Sequence, residues 1–144
     1  NFYAPGAPIY TQSRFLPASV IEETVVNRAM ISDGCQIRSA RLERCIVGIR
    51  SLINPGSLLK NTIIMGADFY ESDKGGTPWG EIPIGIGRDC IIEDAIIDKN
   101  ARIGNGVVIT PHDKDANSEG PGYYIRDGIV VIPRNAVLPA GTRI

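Results

Sequence analysis

Few side chains in this chain are of a type and spacing that could do chemistry. His112 is its single histidine, flanked by Pro111, Asp113, Lys114 and Asp115. A general base needs a partner to activate or an orienting carboxylate within hydrogen-bond reach, and these flanks read as a solvated loop. With no second histidine, a three-histidine metal site cannot form. Glu93, Asp94 and Asp98 lie close enough along the chain to offer a carboxylate pair, although charged residues at surface corners account for them without chemistry. Three cysteines, Cys35, Cys45 and Cys90, are an odd count without metal-ligand spacing, so they read as buried structural thiols. Gly85-Ile86-Gly87 and Gly104-Asn105-Gly106 are glycine strings, but neither opens a helix after a strand, as a phosphate-cradling loop must. They read as corner glycines.

The cations carry more. Lys99 follows Ile96-Ile97-Asp98, Arg134 follows Ile132-Pro133, and Arg126 follows Tyr123-Tyr124-Ile125. Two such cations side by side would hold a phosphate or carboxylate. Without acid–base groups beside them, such a site points to effector binding rather than catalysis. Independent solvated charges are the competing reading.

What decides between them is the element that positions these residues. Aliphatic residues recur at Val20, Val26, Ile31, Ile37, Leu42, Val47, Ile53, Leu59 and Ile64, in steps of 5 or 6. The rhythm returns at Ile86, Ile92, Ile97, Ile103 and Ile109, and again at Ile132, Leu138 and Ile144. Helices repeat at 3 and 4 and half-buried strands at 2, whereas hexads mark a parallel β-helix with three short strands per triangular coil. Lys99 and Arg134 each stand two residues after a beat, at Ile97 and Ile132. Both should therefore occupy equivalent outward places on coils close in space.

Composition agrees with a solenoid: 43% of residues are hydrophobic but only 6% aromatic, as a narrow aliphatic interior requires. The net charge of −1 gives no reason to expect nucleic-acid or membrane binding, and no apolar run reaches membrane-spanning length. Of the basic residues 11 are arginine and 4 lysine, a bias that suits contact with phosphate and carboxylate.

Residues 1–19 contain prolines and aromatics but no hexads, and read as a connector docked on the domain. Residues 20–144 form the β-helix, interrupted by excursions over 65–85 and 110–128, where Gly-Gly, Thr-Pro and charged stretches break the rhythm. Steps of five should pinch particular sides of the prism, and Gly34 and Gly56 should sit at corners with positive φ. The two solenoid ends need a cap or a partner. The chain starts abruptly, as part of a longer protein would.

The strings FYAPGAPIYTQSRFLP, MGADFYE, IPIGIG, AIIDKNARIG and GYYIRDGIV together resemble the C-terminal domain of the ADP-glucose pyrophosphorylase (glucose-1-phosphate adenylyltransferase) family, most closely its cyanobacterial and plant branch. The resemblance spans essentially the whole chain. It implies an all-β, left-handed parallel β-helix behind a nucleotidyltransferase domain that would lie outside these residues. The parent reaction converts ATP and glucose 1-phosphate to ADP-glucose and pyrophosphate with Mg²⁺, in glycogen or starch biosynthesis. This domain itself would bind no cofactor and catalyse nothing alone. The family is tetrameric, homo- or heteromeric, with the β-helix serving assembly and allosteric control.

By the same resemblance Lys99 matches a lysine that binds the activator 3-phosphoglycerate, and Arg134 stands where a second activator lysine is expected. Lysine to arginine keeps the charge but changes geometry. Gln12 and Arg14 resemble residues of a second anion site at the domain boundary, and phosphate is a further partner that the resemblance implies. The implied setting is bacterial cytoplasm, or plastid stroma in a plant. The alternative is a hexapeptide-repeat acyltransferase using His112 as base at a subunit interface.

Overall fold

The computed structural model describes residues 16–144. The first fifteen, with Gln12 and Arg14, lie outside the described residues. Short β-strands wind through stacked coils and pair in parallel with the coil before and after. One sheet runs in the order β1 (Val20–Glu22), β3 (Gln36–Arg38), β5 (Leu52–Ile53), β7 (Gly85–Ile86), β9 (Arg102–Ile103) and β14 (Val137–Leu138). The other stacks β2 (Val25–Ile31), β4 (Arg41–Val47), β6 (Leu58–Ile64) and β8 (Ile91–Ile97), each seven residues long, with the short β10 (Val108–Ile109) paired on β8.

The aliphatic rhythm resolves into three interior columns. Ile37, Ile53, Ile86, Ile103 and Leu138 stack in register along the first sheet. Leu42, Leu59, Ile92 and Ile109 form the second column, and Val47, Ile64, Ile97 and Ile132 the third. All are at most 5% exposed, so each contributes roughly 1.5–3 kcal/mol of burial. Two residues before most column members stands a small inward side chain, such as Cys35, Ala40, Cys45, Cys90, Ala95 or Ala101, while Ile84, Val107 and Val130 take that place before Ile86, Ile109 and Ile132. The buried hydroxyls at these places are satisfied: Ser51 donates to Gly48 O, Ser57 to Gly87 O and Thr62 to Lys60 O. Burial pushes the Cys45 and Cys90 thiols up, which keeps them unreactive.

Corner chemistry sets the step length. Where the step is six, two residues turn and the second has positive φ, as in Pro55-Gly56 (φ 85°), Lys99-Asn100 (61°) and Arg134-Asn135 (63°). Where it is five, one residue turns alone: Arg28, Arg44, Asn61 and Asp94 bend β2, β4, β6 and β8 at φ 50–58°. The five-residue steps thus shorten the corner and not the side, and two sides of the triangle run through the bend as one strand.

Three expectations need correction. In the first coil Ile21, not Val20, lies opposite Ile37; both are aliphatic, so the sequence leaves the phase open. Of the glycine strings Gly106 (φ 68°) is a positive-φ corner and Gly85 (φ 117°) has positive φ within β7, whereas a Cβ on Gly104 would lie 2.6 Å from the Ala140 nitrogen, so that glycine permits close coil stacking. The second excursion is also more than a loop. After a 3-10 turn at Pro111–Asp113 it forms β11 (Ser118–Gly120) and β12 (Tyr123–Arg126), which pair antiparallel with each other and then with β13 (Ile129–Ile132). β13 continues parallel on β8, so the hairpin covers its outer edge, and Ile125 is fully buried there.

A candidate anion site on two adjacent coils

Lys99 and Arg134 are the first residues of equivalent two-residue corners, and the Asn135 N–H donates to Lys99 O at 3.0 Å. The two cations therefore sit on neighbouring coils at one edge of the prism, as the beat spacing predicts. The first excursion leaves the solenoid at this same edge. Asn100 N–H donates to Gly66 O, and two residues later Asp68 reaches both cations.

One carboxylate carries the arrangement. Asp68 Oδ1 lies 3.2 Å from Lys99 Nζ, and Asp68 Oδ2 accepts from Arg134 Nη2 at 2.5 Å. Asn100 Nδ2 donates to the same Oδ2 at 3.0 Å, while its Oδ1 accepts the Asp68 backbone N–H at 2.9 Å. The side chains of Lys99, Asp68 and Arg134 are 38%, 35% and 57% exposed, so solvent and solutes reach the cluster. The Asn100 hydrogen bond, then that of Lys99, holds the Asp68 carboxyl below the ordinary aspartate range; partial burial opposes this and the charges of Lys99 and Arg134 add to it. Three donors, two of them cationic, thus converge on a position that one oxyanion fills.

The other candidates are placed elsewhere. Asp98 precedes the Lys99-Asn100 corner, and its Oδ1 accepts the Lys99 N–H at 2.6 Å. Asp94 bends β8 and accepts from Asn61 Nδ2 at 3.0 Å. Arg126 stacks 5.0 Å from the Tyr124 ring centre and donates to carbonyls of its own hairpin. His112 Nε2 lies 3.3 Å from Glu93 Oε1 in an exposed position. Among the described residues no three His, Cys, Asp or Glu side chains converge as a metal site. No helix is long and apolar enough to cross a membrane among the described residues.

The sequence reading missed Asp68 and Asn100. Asn100 had a legible signal, because asparagine tolerates the positive φ its corner requires. Asp68 had none: it lies 31 residues before Lys99, and only the return of the excursion to its own corner brings them together.

Stacked parallel coils with three aliphatic columns define a hexapeptide-repeat β-helix. Over residues 14–143 the chain matches the family model described as the GLGC left-handed parallel β-helix domain, and it belongs to that family. It is similar to the small subunit of glucose-1-phosphate adenylyltransferase, chloroplastic/amyloplastic, of Triticum aestivum, at 44% identity over 147 residues. That match takes in 99% of this chain and 31% of the wheat protein, so the chain spans about a third of its relative's length.

Proposed function

We propose that this chain is the regulatory and assembly domain of a glucose-1-phosphate adenylyltransferase, and that Lys99 and Arg134 bind an anionic effector of the 3-phosphoglycerate type. The observation that carries the reading is the convergence of these two cations, from adjacent coils, on one carboxylate. A phosphate or carboxylate group presented there meets charge-assisted donors with the spacing Asp68 already uses. The named activity of the wheat relative supplies the reaction: ATP and glucose 1-phosphate give ADP-glucose and pyrophosphate, with Mg²⁺, in starch or glycogen synthesis. Nucleotide and metal chemistry then belongs to residues beyond this chain.

Regulation through this domain requires the effector to favour one of two arrangements of the whole protein, since a ligand with equal affinity for both shifts nothing. Exposed apolar side chains in register along β2, β4 and β6, namely Met30 (69%), Ile46 (46%) and Ile63 (37%), support a role in packing against another subunit or domain. The tetrameric assembly, homo- or heteromeric, is part of this proposal, as is the setting: plastid stroma for a plant protein, cytoplasm for a bacterial one. Gln12 and Arg14 remain candidates for the second anion site, and phosphate for a further ligand of the domain.

The test is Lys99→Ala in the full-length enzyme. Activation by 3-phosphoglycerate should require at least about tenfold more effector, the loss of one charge-assisted contact, with unstimulated turnover nearly unchanged. An unaltered activation curve would remove Lys99 from the site.

A further inference from the structure

We infer that Asp68 is a built-in competitor for the anion site: a side chain that occupies Lys99 and Arg134 in the effector-free protein and must leave before a ligand binds. The inference rests on the proposed role of those two cations and adds to it a selection by ligand charge.

The geometry is that of a ligand already bound. Asp68 places one oxygen on each cation and takes the Asn100 amide as well, which leaves no cation of the pair facing solvent unpaired. Its backbone is held independently of its carboxylate. Asp68 N–H donates to Asn100 Oδ1, Ala67 N–H donates to Ile49 O, and Arg50 Nη1 donates to Ala67 O at 3.2 Å. Rotation of the side chain alone would therefore clear the site without moving the excursion. The carboxylate is one-third exposed, so water can take over its solvation once it swings out.

Tethering makes this competitor effective. A group held beside its partner acts at an effective concentration on the order of millimolar or more, so weakly binding anions do not displace it. Charge then discriminates. With Asp68 in place, the two cations and one carboxylate carry a net charge of +1; a monoanion only exchanges one negative charge for another. A phosphate dianion, or a molecule bearing both phosphate and carboxylate, gains electrostatically from the exchange. The site is thereby closed to ordinary monocarboxylates and open to multiply charged phosphorylated acids.

The experiment is a calorimetric titration of the intact protein in mildly alkaline buffer, where inorganic phosphate is a dianion. The ligands are phosphate, 3-phosphoglycerate and acetate, and the proteins are wild type, Asp68→Asn, Asp68→Ala and Lys99→Ala, each checked for folding by circular dichroism. Asparagine keeps the shape and the Asn100 contact while removing the charge. Both Asp68 variants should bind phosphate and 3-phosphoglycerate roughly 3- to 10-fold more tightly than wild type, the worth of two exposed ion pairs. Acetate, without measurable binding to wild type, should bind them. Binding to the Asp68 variants alone would also support the inference. Lys99-dependent binding in wild type that Asp68→Asn leaves unchanged or weakens would overturn it, since Asp68 would then be a positioning residue, while the anion site would stand. Absence of Lys99-dependent binding in every protein would overturn both.

Discussion

At each bend of the long strands a single residue takes positive φ, and its type has a cost. Asn61 and Asp94 accept that conformation at little penalty, whereas arginine at Arg28 (φ 58°) and Arg44 (φ 52°) does so against its preference. Arg44 is compensated by a hydrogen bond from Nε to Asn61 Oδ1 at 2.7 Å. For Arg28→Asn we expect a gain of about 0.5–1 kcal/mol, read as a higher urea midpoint with unchanged slope. A lower midpoint would mean that the Arg28 guanidinium makes a contact worth more than the strain. At this scale the sequence was partly legible. The beat residues followed from spacing, and so did the outward pairing of Lys99 with Arg134. Asp68 did not, because its partners are fixed by where a long excursion begins and not by local periodicity.

Among the elements, the coil rhythm and the places of the two excursions were readable, and the structure within the excursions was not. Five-residue steps announced an irregularity, but only the backbone shows that the corner absorbs it by turning on one residue. The second excursion carried turn residues in abundance, and Tyr123-Tyr124-Ile125-Arg126 is too short to separate a hairpin strand from a loop by pattern alone. The first excursion is clasped rather than free. Arg102 Nη1 on β9 lies 3.0 Å from Glu71 Oε2 and 2.7 Å from Ile82 O, and Glu71 Oε1 accepts the Ile84 N–H at 2.6 Å. With the Arg102 and Glu71 side chains only 18% and 10% exposed, Arg102→Ala leaves an acceptor and a carboxylate without their partner. We expect it to destabilise the domain by about 1–3 kcal/mol and to open residues 65–84 to limited proteolysis. A variant as protease-resistant as wild type would show that the excursion is held by its other contacts, among them the Tyr70 hydroxyl donating to Gly34 O at 2.8 Å.

For the whole molecule, the two ends of the solenoid differ. Toward its C-terminal end Ile144 extends the second column, its N–H donating to Val108 O, and β12 covers the edge of β13. Toward the other end the columns run out into exposed side chains, Ile21 at 44% and Val26 at 41%. The proposed anion site lies between these ends, where two coils and one excursion meet, so no single coil could form it. A ligand bound at the proposed site would tie together elements that stack independently, a route by which a repeat array reports occupancy beyond the bound residues.

That joint construction is tested most directly by a double-mutant cycle on the dissociation constant of 3-phosphoglycerate, measured calorimetrically in the intact protein. Lys99→Ala and Arg134→Ala should each weaken binding about tenfold or more. The double variant should be clearly less impaired than the product of the two losses, because both cations act on one ligand. Affinity unchanged by either substitution, or losses that simply multiply, would contradict a single site shared by the two coils.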